Sequence, residues 1–214
     1  GVSSIRGLKE AFSLTSDCFL VAIGYHGENF HGSQIQPSVR TVQGALIDAL
    51  KEIGWWSKGC LWIFSRTDSG VSVRMNLIRL DLPDRITNSI KGSSVITALN
   101  DRLPDDIVAW GARKVPSTTS SRPIISRKYF YRCEVMKNWP QDVNLDILEE
   151  ACKLFVGTHN FTNLCRLEEG KNPVRSVVNC EPWLNHDGRP IGISVTAESF
   201  LWNQVRRMAS AITG

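Results

Sequence analysis

The sequence predicts an α+β fold built as two halves, and three observations carry that prediction. A strand–helix–strand–strand–helix order is readable twice along the chain. A stretch rich in Pro, Ser and Thr, 116–126, separates the two occurrences. The composition, 42% hydrophobic and 21% charged over 214 residues, is that of an ordinary globular chain. This length allows one large domain or two small ones, and a core that needs no disulfide or metal staple. The apolar content excludes a disordered chain. Sixteen glycines and nine prolines interrupt every long periodic run, which excludes a coiled coil. No apolar stretch approaches the ~18 residues that span a bilayer, so no membrane association is expected. Gly1-Val2-Ser3-Ser4-Ile5-Arg6 does not read as a signal peptide, and the missing Met implies a processed or engineered start.

The first half opens with the β-type run 18–25, ended by His26-Gly27. A polar loop, 26–40, contains Gly27, Gly32 and Pro37. Apolar residues at 42, 45, 46, 49, 50 and 53 then recur at helical spacing, and Thr41 is the expected N-cap. Residues 60–64 and 75–82 read as strands, 88–100 as a helix, and 106–115 as a strand bounded by Pro104 and Pro116. Past the linker, 128–135 reads as an aromatic-rich strand. Residues 146–155 read as a helix, 174–180 and 191–197 as strands, and 200–213 as a final helix. This order matches ferredoxin-like halves. The expected division is 1–116 and 117–214.

Net charge is +4, which permits a polyanionic partner without requiring one. Arg and Lys gather at 122–132 and at 206–207, while acids collect at 148–150 and 168–169. None of the six cysteines forms a C-x-x-C pair, and the four histidines have no ligand spacing, so no metal is expected. Buried free thiols in a reducing compartment, the cytoplasm, are the simpler reading.

Three segments have residue types that suit chemistry. In Phe64-Ser65-Arg66-Thr67-Asp68-Ser69-Gly70-Val71, Asp68 follows a strand directly. Asp and Gly are common in any turn. The same spacing also suits a carboxylate fixed at a strand end and kept ionised by a guanidinium, as a nucleophile requires. In Arg127-Lys128-Tyr129-Phe130-Tyr131, period-two alternation puts Tyr129 and Tyr131 on one face, for core packing or for stacking on a base. Phe200 through Met208 opens a helix bearing Arg206 and Arg207, either a solvated face or a partner for a carboxylate.

Taken in order, these segments resemble the tRNA pseudouridine synthase A family. Tyr25-His26-Gly27 and Phe30-His31-Gly32-Ser33-Gln34-Ile35-Gln36 resemble its opening motif, with Ser33 where many members have Trp. Arg40-Thr41-Val42-Gln43-Gly44-Ala45-Leu46 resembles its first helix, and Arg66-Thr67-Asp68-Ser69-Gly70-Val71 its central R-T-D-x-G-V motif. Leu99-Asn100 with Leu103-Pro104-Asp105-Asp106-Ile107, then Arg127-x-Tyr129-x-Tyr131, follow the family pattern. So do Gly157-Thr158-His159-Asn160-Phe161, with Asn160 in place of Asp, and the closing Phe200–Met208 stretch. The resemblance covers about Tyr25 to the end.

The resemblance implies a pseudouridine synthase fold, two ferredoxin-like halves whose antiparallel sheets join around a basic cleft, in a homodimer acting on tRNA. It implies that Asp68 is the catalytic aspartate, in the first half. Tyr129 would stack on the uracil near the proton-transfer step, and Arg206 would pair with Asp68. Arg66 would help displace the base, and Arg127, Tyr131 and Phe200 would bind substrate. The implied reaction converts uridine to pseudouridine in the anticodon stem-loop. It needs no cofactor, because it involves neither redox change nor group donor. Family members usually continue with a further helix and strand lining the base pocket, so the end at Gly214 implies a truncated or divergent terminus. Two other readings stay open: a non-catalytic RNA-binding module of the same fold, and a related synthase acting on other uridines. The set Asp68, Tyr129 and Arg206 separates catalysis from binding alone.

Overall fold

The computed structural model describes residues 16–120 and 125–214. The amino-terminal segment and the linker positions 121–124 lie outside the described residues. The chain divides into two compact units at residues 123 and 124, and each has its own sheet and its own core.

The first unit runs β1 (Asp17–Tyr25), α1 (Val42–Ile53), β2 (Leu61–Ile63), β3 (Val73–Leu80), α2 (Asp84–Thr87), α3 (Gly92–Asn100) and β4 (Ile107–Pro116). Its antiparallel sheet has the order β2-β3-β1-β4, so the most apolar strand occupies the centre. Phe19, Val21 and Ile23 of β1 are fully buried under α1, which presents Val42, Leu46, Ala49 and Leu50. Burying side chains of this size stabilises by roughly 1.5–3 kcal/mol each. α1 starts as expected: the Thr41 hydroxyl accepts the Gly44 N–H, one of the helix's unpaired first-turn donors. It stops at Gly54, whose φ of 80° suits a left-handed cap.

The helix expected over 88–100 starts later, at Gly92. α2 precedes it, and Lys91 is extended. A Cβ at Gly92 would sit 2.4 Å from the Ala112 carbonyl oxygen, so the helix start needs glycine to lie against β4. At the other end of α3, the Asn100 side chain pairs with the β4 backbone as a neighbouring strand would. Its amide donates to the Ala109 carbonyl and accepts the Ala109 N–H, both at 2.8 Å.

The second unit runs β5 (Arg127–Arg132), α4 (Leu145–Lys153), β6 (Gly157–Asn160), β7 (Val174–Leu184), β8 (Pro190–Ala197) and α5 (Gln204–Thr213), with antiparallel sheet order β5-β8-β7-β6. β6 was not expected. Its four residues, Gly-Thr-His-Asn, are all exposed and lack apolar alternation; pairing with Val174–Val177 is what makes them a strand. β5 stops at Arg132 rather than continuing to 135, because the Cys133 and Glu134 amides both donate to the Ile191 carbonyl and break the ladder. α5 begins at Gln204 rather than at 200, because Asn203 sits at φ 60°. Cys133, Cys152, Cys165 and Cys180 belong to this unit's core. All six cysteines are free and buried, and burial pushes the Cys133 thiol up to about 11. Among the described residues no helix is long and apolar enough to cross a membrane, and no cluster of His, Cys, Asp and Glu could hold a metal ion.

Candidate active site

Asp68 lies on the connection between β2 and β3, exposed, two residues from exposed Arg66. Such a segment would wander on its own. Here a second loop, just after β1, holds it along its length. The Ser33 N–H donates to the Thr67 carbonyl at 3.0 Å, and the Thr67 N–H donates back to the Ser33 hydroxyl at 2.9 Å. Ser33 is 1% exposed, so this reciprocal pair is shielded from competing water. The Phe30 carbonyl accepts from the Gly70 N–H and from the Ser69 hydroxyl, at 3.2 and 3.3 Å. The Tyr25 hydroxyl lies 2.7 Å from the Thr67 hydroxyl. Burial holds the Tyr25 phenol above its ordinary pKa, so it stays a neutral hydrogen-bonding group.

Two glycines make this approach possible. Gly32 has φ 86°, and a Cβ there would lie 2.9 Å from the Thr67 carbonyl oxygen. A Cβ at Gly27 would lie 2.0 Å from the Val71 carbonyl oxygen, and the Gly27 N–H instead reaches the Ser72 hydroxyl. The clamping loop is itself tied to α1. The Val42 and Gln43 N–H groups donate to the Gly32 and Ser33 carbonyls, and the Gln43 side chain accepts the Ile35 N–H. Arg40 makes a two-pronged pair with Asp106 at 2.7 and 2.8 Å while its guanidinium lies 4.0 Å from the Phe30 ring centroid. The hydrogen bonds from Arg40 hold the Asp106 carboxyl below the usual carboxylate range. Among the described residues no ion pair joins Asp68 to Arg66; the nearby guanidinium that is paired belongs to Arg40.

In the second unit, β5 alternates half-buried Arg127, Tyr129 and Tyr131 with exposed Lys128, Phe130 and Arg132. The shared face of Tyr129 and Tyr131 is therefore as the alternation predicts. Tyr131 packs on the core. Tyr129 stands edge-on to Phe200, with ring centroids 5.2 Å apart, a favourable aromatic geometry. Arg127 donates to the Glu198 carbonyl, just before Phe200. The segment before α5 is pinned by Gln204, 1% exposed, whose side chain accepts the Leu201 N–H at 2.9 Å. The two arginines of α5 divide their work: Arg207 donates to the Cys165 carbonyl at 2.9 Å, and Arg206 is exposed. Asn160 keeps the acceptor that an aspartate would offer, taking the Thr162 N–H and hydroxyl at 3.0 and 2.6 Å.

The loop, the strand and the helix are thus legible along the chain, and so are Tyr25, Ser33, Asp106 and Gln204 as motif residues; their holding contacts, and Asn76 altogether, are not. The signal for Ser33 was available in its place within a Gly-Ser loop. Gln204 acts within three residues, and the others act on partners remote in sequence.

The profile of the family described as tRNA pseudouridine synthase matches residues 151–213. Three relatives, each called tRNA pseudouridine synthase A, extend the likeness over most of the chain. The Methanocorpusculum labreanum protein is 38% identical over 192 residues, 88% of this chain and 64% of its own length. The Archaeoglobus fulgidus protein is 34% identical over 91% of this chain and 68% of its own. The Pyrococcus horikoshii protein is 36% identical over 89% and 67%. The chain therefore spans about two thirds of the length of the curated relatives it matches. Identity at this level over nine tenths of the chain, together with the motif-bearing loops described above, shows that the chain belongs to the tRNA pseudouridine synthase A family.

Proposed function

We propose that this chain carries the catalytic centre of a synthase that isomerises uridine to pseudouridine in tRNA, in the anticodon stem-loop, with Asp68 as the attacking carboxylate. The observation that supports this most directly is the Asp68 loop: an exposed carboxylate on a segment whose neighbours Thr67, Ser69 and Gly70 are each hydrogen-bonded to the loop after β1. A nucleophile gains from being aimed before its substrate arrives. The relatives' shared name supplies the substrate class.

The reaction breaks the glycosidic bond at N1 of the base, turns the uracil, rejoins it through C5, and removes the C5 proton. Asp68 attacks either the base at C6 or the sugar, the bond to the carboxylate breaks again before product leaves, and N1 gains a proton as C5 loses one, so the change is a net isomerisation. The uridine must leave its stack to be reached, and in this reading Arg66 helps to displace it. Tyr129 stacks on the uracil, a contact of about 1–3 kcal/mol per base, with Phe200 supporting it. Arg206 supplies the guanidinium that pairs with the carboxylate, and Arg127 and Tyr131 complete the substrate-binding set. The same reading takes the protein as a cytoplasmic homodimer, which six free buried thiols and a reducing compartment suit.

The test is nucleotide-resolution mapping of pseudouridine in tRNA incubated with the parent protein and with Asp68→Asn. The parent should modify an anticodon-arm uridine. Asp68→Asn keeps the side chain's size, loses its nucleophilic charge, and should form no product while tRNA affinity stays within a few-fold. Turnover by Asp68→Asn would remove the nucleophile assignment. Binding without turnover by the parent would favour the RNA-binding module, and product at other uridines would favour the related synthase.

A further inference from the structure

Asn76 lies on β3 and is 3% exposed. Its Nδ2 donates to the Ser65 carbonyl at 2.7 Å, and its second contact is the Tyr25 hydroxyl at 3.4 Å. Its Oδ1 is buried and has no hydrogen-bond partner among the described residues. An amide with its acceptor idle in a buried site contributes less to stability than a fully paired one. Fold stability alone therefore does not account for an asparagine at this position. What the amide does, and an apolar side chain could not, is grip the backbone carbonyl of Ser65. That carbonyl lies where the chain leaves β2, three residues before Asp68. Tyr25 continues the chain of contacts to the Thr67 hydroxyl, next to Asp68.

We propose that Asn76 is a positioning residue. By holding the Ser65 carbonyl and the Tyr25 hydroxyl together it sets the path of 65–68, and with it the direction of the Asp68 carboxylate. The inference rests on the reading of Asp68 as the catalytic group. It adds a buried residue that never meets the substrate and whose effect falls on turnover rather than on binding.

Two variants of the full chain test it. Asn76→Leu keeps the branched shape and the number of heavy atoms and removes the donor. Asn76→Asp keeps the shape, but its ionised form turns an oxygen toward the Ser65 carbonyl, whereas its protonated form can donate to that carbonyl. Both are assayed on a tRNA transcript, with thermal unfolding and amide hydrogen exchange at Thr67 and Gly70. Asn76→Leu should lose about 10–100-fold in kcat, the scale of a small misplacement of a reacting group. Its KM should stay within about two-fold, and its unfolding midpoint should fall only by the modest amount that one lost hydrogen bond gives. Asn76→Asp should recover kcat as pH falls, because acid restores the donor, a dependence absent from Asn76→Leu. Parental kcat in Asn76→Leu would overturn the proposal, as would a kcat loss matched by lost stability with a flat pH profile in Asn76→Asp. If the parent modifies no uridine, the reading of the activity fails, and exchange still decides the positioning role. Faster exchange at Thr67 in Asn76→Leu supports the role, and unchanged exchange defeats it.

Discussion

The two units hold their site-bearing segments by different means. In the first, the segment carrying Asp68 is pinned by buried polar groups. Ser33, Thr41 and Asn76, all at most 3% exposed, bond either to that loop or to the helix start that braces it. In the second, Tyr129 stands edge-on to Phe200, Phe200 packs on an apolar and thiol core, and Gln204 is a buried polar clasp on the segment after it. The contrast follows from what each segment presents. A carboxylate must be aimed in direction, and hydrogen bonds are directional. An aromatic face needs only its plane set, which van der Waals packing and a neighbouring ring edge achieve. In the proposed reading, disturbing the Asp68 loop should therefore fall mainly on turnover, and disturbing the stacking strand mainly on substrate affinity.

The most severe way to break this contrast is to force backbone apart in each unit. Gly27→Ala puts a Cβ 2.0 Å from the Val71 carbonyl oxygen, and Gly192→Ala puts one 2.0 Å from the Tyr131 carbonyl oxygen. Overpacking of this kind costs about 1–3 kcal/mol and occasionally more, so both variants should show clearly lower denaturation midpoints. In steady-state kinetics Gly27→Ala should lose mainly kcat and Gly192→Ala should gain mainly KM. The reverse assignment would dissolve the contrast. Gly111→Ala, whose Cβ would meet only Ala22 Cβ at 3.5 Å, is the control with near-parental stability.

A smaller cut removes one clasp from each side. Ser33→Ala leaves the Thr67 N–H without its acceptor, and Gln204→Leu does the same to the Leu201 N–H. Stranding a buried donor costs about 1–3 kcal/mol. Amide exchange should quicken at Thr67 in the first variant and at Leu201 in the second, with no crossover. Exchange that quickens in both units in either variant would show a shared stability unit instead.

The mildest probe is pH. Asp106 is held below the ordinary carboxylate value by hydrogen bonds from Arg40, and Glu181 by hydrogen bonds led by Asn179 and joined by Lys128. A carboxyl depressed in the fold adds stability above its unfolded value, near 4. That stability fades as pH falls through the folded value. Both units should therefore lose stability in the same direction below about pH 4. Asp106 has an 18% exposed side chain against 49% for Glu181, so its loss should be the larger, though only about 0.2–1 kcal/mol for so accessible a pair. Comparing Asp106→Asn and Glu181→Gln with the parent in thermal unfolding at pH 7 and pH 3 checks the order.

Elements with strong apolar pattern were legible along the chain. β1, α1 with its Thr41 cap, and β4 fall within a residue or two of their expected spans. β6 was illegible because nothing within Gly157–Asn160 favours a strand; its partner strand supplies the reason. The start of α5 was misplaced because the apolar Phe200 and Leu201 mimic a first turn, whereas Asn203 turns left-handed ahead of it. For the candidate site, the residue types were legible but their restraints were not. The Ser33–Thr67 bond joins positions 34 apart, the Asn76–Tyr25 contact positions 51 apart, and the Arg40–Asp106 pair positions 66 apart. No local window reports on such partners.

Residue order alone carries the alternation of most strands and helices, the faces they bury, and the chemical inventory of the Asp68, Tyr129 and Arg206 segments. These depend on periods of two and 3.6 residues and on residue identity, both local properties. Only the tertiary structure decided which arginine near the Asp68 loop is paired, that two glycines admit one loop against another, and that a buried asparagine holds the carbonyl three residues before Asp68. Those outcomes depend on how closely distant backbones approach, and an unpaired or clashing group at such an approach is penalised only once the chain has closed around it.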